Sequence, residues 1–379
     1  MEDLFNVIGN YFVPFVVTLS IVVFVHEFGH YWVARRCGVR VLSFSIGFGP
    51  EIWGRTDRHG TRWKVAVFPL GGYVRMFGDA DAASTPDSRV HQMTKHERDI
   101  SFFHQNPWKR LAIVSAGPVS NYLFAILLMM GMFAYYGEPY TPAVVDTVVK
   151  DSAAEAAGVK SGDRVVAIDG EAVERFSDMQ RIIGLNTGTP MKVEIERDGD
   201  KKEMTITPRL VDLTDRFGYS HRTAQLGVSS QDQAYRKLSP GGIVTHSFAM
   251  AWNITYDMLA AVRQMIMGLR GTEELGGALR IAKMSGDVAK TKELPTYILF
   301  VIMISINLGL VNLFPIPMLD GGHMLFYVIE IVRRRPLTEK VQDWAMRGGV
   351  LVVLCLFIFS TYNDLVQFGF LSYLKQIFS

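Results

Sequence analysis

The chain has 379 residues, 49% of them hydrophobic and only 20% charged, with a mean hydropathy of +0.17 and a formal net charge of +2. That balance lies between an ordinary soluble protein and a pure transporter and gives no global basic surface for nucleic acid; it suits membrane spans joined to a water-soluble domain. The two cysteines, Cys37 and Cys355, lack metal-type spacing and offer no disulfide framework, so packing is their expected role.

In chain order, the first predicted element is an apolar helix over about 11–34. Three further stretches, 111–136, 296–319 and 349–370, also reach the roughly 20 apolar residues that cross a bilayer. The first is not read as a signal peptide: the chain opens MEDLFN without a basic n-region, and no small-residue cleavage site follows. Arg35, Arg36 and Arg40 follow span one, Lys109 and Arg110 precede span two, and Arg333, Arg334 and Arg335 separate spans three and four. Positive flanks stay on the cytoplasmic side, so both termini and the long segment 138–294 are expected outside.

Span one contains IVVFVHEFGHYWVA, with two histidines and a glutamate in otherwise apolar surroundings. Ionisable groups at membrane depth cost about 2.5–3.5 kcal/mol on insertion scales and usually pair, line a wet cavity or do chemistry. His26-Glu27-Phe28-Gly29-His30 is an HExxH pattern, and on a helix positions four apart share a face, so both imidazoles can reach one ion. Zinc suits imidazole and lowers the pKa of its bound water to about 7, with Glu27 as the candidate general base. A catalytic zinc site needs a third protein ligand.

After span one, residues 41–77 alternate like strands and are punctuated by Gly47, Gly49, Pro50, Gly71 and Gly72; residues 79–106 are polar and read as a solvated loop. Span two opens with GPVSN, residues 117–121. Outside, 141–208 reads as short strands around one helix, with Asp198-Gly199 as a hairpin turn signal. Residues from about 240 to 294 have amphipathic helical spacing, and their methionines read as packing or interfacial residues. Span three ends in NLFPIPMLDGGH, where Pro315 and Pro317 remove helical hydrogen bonds and Gly321-Gly322 permits a tight turn. Broken backbone at membrane depth needs protein or a wet cavity around it. Asp320 there lies at the same expected depth as His26 and His30, which makes it the candidate third ligand; His323 reads as a turn residue. Glu330 is the only nearby glutamate that could compete for the third position, and its flanks fit poorly.

HEFGH, GPVSN and NLFPIPMLDGG, in that order, resemble the site-2 protease family of intramembrane zinc metalloproteases, in the bacterial branch that regulates sigma E and with a single PDZ domain. The resemblance covers nearly the whole chain. It implies Zn2+ held by His26, His30 and Asp320, Glu27 as catalytic acid/base, and Asn312 as a polar group that holds substrate backbone. Asn121 is a second candidate for substrate binding, against a role in satisfying backbone between spans. The segment with Ala157-Gly158-Val159, Gly162-Asp163 and Ile168-Asp169-Gly170 resembles the circularly permuted PDZ domains of bacterial proteases.

The expected fold is therefore a polytopic α-helical membrane protein with four transmembrane helices, a membrane-associated β-hairpin region and one inserted α+β PDZ domain. The expected divisions are 1–36, the first span; 37–108, the cytoplasmic β region; 109–137, the second span; 138–232, a periplasmic PDZ domain; 233–294, an amphipathic linker; 295–322, the third span; 323–345, a cytoplasmic loop; and 346–379, the fourth span and tail. The resemblance implies regulated cleavage of a single-span protein in the bacterial inner membrane, such as an anti-sigma factor already cut outside, or a remnant signal peptide. The rival readings are a non-catalytic PDZ adaptor, in which Glu27 is dispensable, and a metal transporter, which would want polar residues along several spans.

Overall fold

The computed structural model describes residues 8–79, 90, 92–184, 186, 188–214, 220–230, 234–268, 272 and 276–368. The chain divides into two compact bodies: one of residues 1–130, 245–259 and 272–379, the other of 131–244 and 260–271.

In the first body a π-helical turn, Ile8–Phe12, leads into α1, Val13–Arg36. Pro14 sits just past the junction of the π-helical turn and α1, and Arg35 and Arg36 complement the helix dipole in the last turn. The strands β1, Val41–Thr56, and β2, Arg62–Met76, pair antiparallel. Asp57 closes their turn by accepting from the backbone N–H groups of His59 and Thr61 at 2.8 and 3.0 Å. Register breaks near Gly47 and Gly49, both at φ of 88°, fold the hairpin back on itself, so Ser43, Phe44, Ser45 and Ile46 each pair with two partners. A simple hairpin was the expectation; the glycines and Pro50 make it a doubled one. A short helix, α2, Lys95–Ile100, starts at a capping box between Thr94 and Glu97. The long α3, Pro107–Tyr135, follows, with Pro118 inside it.

The second body carries β3, Glu138–Tyr140; β4, Thr147–Val148; α4, Ala153–Ala156; β5, Arg164–Ile168; β6, Glu171–Ala172; α5, Phe176–Gly184; β7, Met191–Arg197; β8, Asp200–Ile206; β9, Arg209–Thr214; β10, Ser220–Gln225; β11, Val228–Ser229; and β12, Ala234–Arg236. A four-stranded sheet runs β6-β5-β7-β8, and the body also has three two-stranded pairs: β3 with β12, β4 with β11, and β9 with β10. Asp198 and Gly199, at φ of 54° and 88°, make the anticipated tight turn between β7 and β8. Alternate residues of the strands, among them Val165, Met191, Val193 and Ile195, bury one core with Met179 and Ile183 of α5. The body extends past the expected limit at 232, because β12 pairs back onto β3.

The remaining helices are α6, Pro240–Ile266; α7, Ala278–Thr291; α8, Leu294–Leu313; α9, Asp320–Arg333; and α10, Glu339–Gln367. Four helical stretches are long and apolar enough to cross a bilayer: Gly9–Arg36, Pro107–Tyr135, Leu294–Leu313 and Lys340–Gln367. Only 17% of the most apolar window of the last is buried against protein, so its apolar side chains, Cys355 among them, face outward rather than into a core. Two expectations are corrected here. The third helix does not run to 322 but stops at Leu313, because Pro315 and Pro317 supply no N–H and Met318 adopts a φ of 92°. The stretch expected as a loop from 323 is largely the helix α9, whose Tyr327 and Met324 pack into a core shared with α1, β1, β2 and α3.

Candidate metal centre

On α1, His26 and His30 are both buried, with ring centroids 4.9 Å apart. The break after α8 returns the chain so that Asp320 opens α9 beside them. Its Oδ2 lies 3.0 Å from His26 Nε2 and 3.3 Å from His30 Nε2, and the two Nε2 atoms are 3.3 Å apart. Among the described residues this is the one group of three or more His, Cys, Asp or Glu that converges in this way. Backbone makes the return possible. A Cβ on Gly321 would strike the carbonyls of Leu313 and Phe314, and one on Gly322 would strike Pro317 and the Ile316 carbonyl.

The protonation pattern says what the three atoms can hold. His30 Nδ1 is 2.9 Å from the Ile113 carbonyl, which can only accept, so Nδ1 carries a proton, and Nε2 presents a lone pair whenever the ring is neutral. Asp320 Oδ2 is buried, and the polar atoms it faces are the Nε2 atoms of His26 and His30. Lone pairs on nitrogen and carboxylate oxygen that face one another in a buried site repel unless a cation lies among them. Two imidazoles and one carboxylate are a zinc-type donor set, and a tetrahedral ion with ligand distances of about 2.0–2.1 Å has donor–donor edges of roughly 3.3 Å. The observed edges of 3.0–3.3 Å fit that size.

The wall behind the imidazoles comes from α3. Ile113, Gly117 and Asn121, spaced four apart, lie on one stripe of the helix. Ile113 holds His30. Gly117 leaves room for both rings: a Cβ there would overlap His30 Nε2 and lie 2.6 Å from His30 Cε1 and 2.8 Å from His26 Cε1. Asn121 is fully buried with Nδ2 3.3 Å from His26 Nδ1, and its carbonyl accepts from Ser305 Oγ of α8 at 2.9 Å. Asn121 thus meets a histidine from behind rather than an open surface, which does not suit the expected contact with substrate. The α1–α3 approach is close because Gly29 faces the Ala116 carbonyl and Ser120.

Glu27, half-buried, follows His26 on α1, and Gly72 of β2 sits against it, with a would-be Cβ 3.0 Å from Glu27 Cγ. Asn312 is half-buried in the last turn of α8. Glu330 does not join the metal group: Arg110 binds its Oε1 at 2.7 Å and stacks over Tyr327 at 4.7 Å. His323 lies in the first turn of α9, not in a loop, and is not part of the converging group. Sequence reasoning missed Ile113 and Gly117; the signal available was that Gly117 and Asn121 in GPVSN are separated by one helical repeat, as His26 and His30 are.

The family model described as Peptidase family M50 matches residues 14–356. A relative from Agrobacterium fabrum, described as a candidate zinc metalloprotease, is 42% identical over 361 residues, covering 94% of this chain and 96% of its own length. A second, from Rhizobium meliloti and described in the same words, is 40% identical over 362 residues, with 94% and 96% covered. Metalloprotease MmpA of Caulobacter vibrioides is 32% identical over 384 residues, covering 95% of this chain and 96% of its own.

Proposed function

The chain belongs to peptidase family M50, the site-2 protease family, and is a multi-pass membrane zinc metalloprotease; from that premise we propose that it cuts the transmembrane segments of single-span proteins, with Glu27 working on the attacking water. The observation that carries this reading is the convergence of three buried donor atoms from α1 and α9 one residue from a glutamate, within helices long enough to span a bilayer.

In this proposal His26 Nε2, His30 Nε2 and Asp320 Oδ2 hold the ion. Bound zinc would polarise the scissile carbonyl and bring its water near neutrality. Glu27 takes the proton of the attacking water and delivers it to the departing amine, so one carboxylate serves as base and then as acid. The fixed imidazole planes and the close packing of α1 on α3 keep the site preorganised and dry, which strengthens every charge interaction in it.

A substrate helix must partly unwind here, because its scissile amide is otherwise closed by intrahelical hydrogen bonds. Asn312 offers an amide to the freed backbone. The doubled hairpin of β1 and β2, with Phe48, Trp53 and Phe68 exposed, offers strand edges and apolar anchors next to Glu27. The second body, read as a PDZ domain, serves as a filter against bulky ectodomains. Both termini and that domain lie in the periplasm, and the membrane is the bacterial inner membrane. The substrates are single-span proteins already trimmed outside, such as an anti-sigma factor, or remnant signal peptides.

The experiment compares wild type, Glu27→Gln and Asp320→Ala in detergent for bound zinc and for cleavage of a single-span substrate. Glu27→Gln should keep about one zinc and lose cleavage, and Asp320→Ala should lose both. Cleavage by Glu27→Gln would sink the assignment.

A further inference from the structure

The neighbour of His26 poses a problem of hydrogen bonding that the metal reading makes sharper. His26 turns Nε2 toward Asp320 Oδ2 and His30 Nε2, at 3.0 and 3.3 Å. A neutral imidazole that binds a cation through Nε2 carries its proton on Nδ1. That N–H faces Asn121 Nδ2 at 3.3 Å, so two donors oppose each other in a buried place. Meanwhile Asn121 Oδ1 is buried without any donor. The two orientations of a carboxamide exchange oxygen and nitrogen and are told apart only by the hydrogen bonds they make. A half-turn of this amide sets Oδ1 on the Nδ1–H of His26. The amide nitrogen is then left without a partner, a cost offset by a hydrogen bond that a cation on the far side of the ring strengthens.

We propose that Asn121 is a positioning residue for His26: its side-chain oxygen accepts the Nδ1–H, fixing the tautomer that leaves Nε2 free for zinc and holding the ring plane. The same helix does this for both rings. Ile113 presents a backbone carbonyl to His30 Nδ1 at 2.9 Å, and two turns later Asn121 presents a side chain to His26 Nδ1. The Asn121 carbonyl is itself taken, accepting from Ser305 Oγ at 2.9 Å, so the contact with His26 is made by the side chain. Outer partners of metal-bound histidines orient the ring and raise its basicity, so the role is chemical as well as steric. The inference rests on His26 being a zinc ligand.

The test uses the full-length protein in detergent, wild type against Asn121→Leu and Asn121→Asp, with zinc affinity measured by competition with a graded chelator. Leu preserves volume and removes the acceptor, so zinc should bind about 10- to 100-fold more weakly. Asp keeps an acceptor and should bind zinc at least as tightly as wild type. A role in packing alone predicts the reverse order, Leu tolerated and a buried carboxylate not, and that order would overturn the proposal.

Because a carboxylate also attracts zinc by charge, a second readout is direct. In zinc-loaded protein labelled with 15N-histidine, the His26 signal, assigned by comparison with His26→Gln, should show an exchange-protected Nδ1–H in wild type and Asn121→Asp. Zinc-bound His26 without that proton in wild type sinks the idea even if Asn121→Leu fails to fold. If His26→Ala keeps full zinc affinity, the ligand reading itself fails. If it loses zinc while Asn121→Leu does not, only the role of Asn121 falls.

Discussion

Gly117→Ala adds one methyl group to the protein, directly against both imidazoles of the site. The new Cβ would overlap His30 Nε2 and lie 2.6 Å from His30 Cε1 and 2.8 Å from His26 Cε1, where ordinary contact begins at 3.4 Å, so the rings must yield by at least about 0.8 and 0.6 Å. Neither ring can swing away cheaply, since His30 would leave the Ile113 carbonyl and His26 would leave Asn121. Metal–ligand distances tolerate only about ±0.2 Å, so shifts of this size are three to four times too large. The expected outcome is a fall in zinc affinity on the order of 100-fold, comparable to losing an outer-shell partner or worse, with helix content preserved. Chelator competition with elemental analysis measures the first, circular dichroism the second. Gly131→Ala is the control: it lies on the same helix with nothing within 4 Å of its Cβ, and should be neutral or stabilising by up to about 1 kcal/mol. A Gly117→Ala protein that binds zinc within threefold of wild type would refute the packing argument.

Three further substitutions test other parts of the fold. Arg110→Ala strands Glu330, which is 14% exposed and pairs with Arg110 at 2.7 Å, and should cost about 3 kcal/mol in thermal unfolding. Arg110→Ala/Glu330→Gln should recover much of that loss, and equal losses in both proteins would mean that the pair does not couple α9 to α3. In the second body burial opposes ionisation of Asp163, but two hydrogen bonds from Arg197, each 2.6 Å, outweigh it and hold the carboxyl below its usual range. A depressed carboxylate stabilises the folded state above its unfolded pKa of about 3.9, and that stability is lost as pH falls through the folded value. Limited proteolysis of the full chain should therefore show wild type losing resistance below about pH 4, while Asp163→Asn is weaker at pH 7 and flat with pH; parallel profiles would contradict this. Asp364 of α10 accepts from the backbone N–H groups of Gly277 and Arg280 at 3.0 Å, capping α7, whose Gly277 has no side chain to do so. Asp364→Ala should lower local stability at 278–291 by about 1–2 kcal/mol, read by hydrogen exchange, and unchanged protection there would exclude the cap.

What the sequence made legible was whatever is local or chemically costly. HExxH is read from one helical repeat, and Asp320 stands out because a carboxylate beside two prolines at the end of an apolar run needs a reason. Asp198-Gly199 gave its turn for the same local reason, positive φ at both residues. The rest depends on which residues meet across long separations. Ile113 touches His30 through a backbone carbonyl, which leaves no mark on residue type, and Gly117 matters for an atom it lacks. The doubling of β1 and β2 and the pairing of β12 with β3 are set by register, which composition cannot encode. Helix α9 was hidden because Pro315, Pro317 and Gly321-Gly322 were read as the end of an element, when they also begin the next.

The polar groups of the spans show why the site sits where it does. Thr18 bonds Tyr297 Oη at 2.8 Å, joining α1 to α8; Ser305 bonds the Asn121 carbonyl, joining α8 to α3; Ile113 and Asn121 reach His30 and His26, joining α3 to α1. In a bilayer such groups find few partners other than one another, so each bond fixes the relative height and rotation of two helices. Three helices tied in a ring of this kind cannot adjust one contact without straining another. The atoms turned inward from that ring, His26 Nε2, His30 Nε2 and Asp320 Oδ2, are thereby held at a spacing that suits a metal cation. On the proposed reading the burial cost of two histidines and a carboxylate is converted into preorganisation: the helices supply the rigidity, and the inward-facing donor atoms mark where a cation would sit.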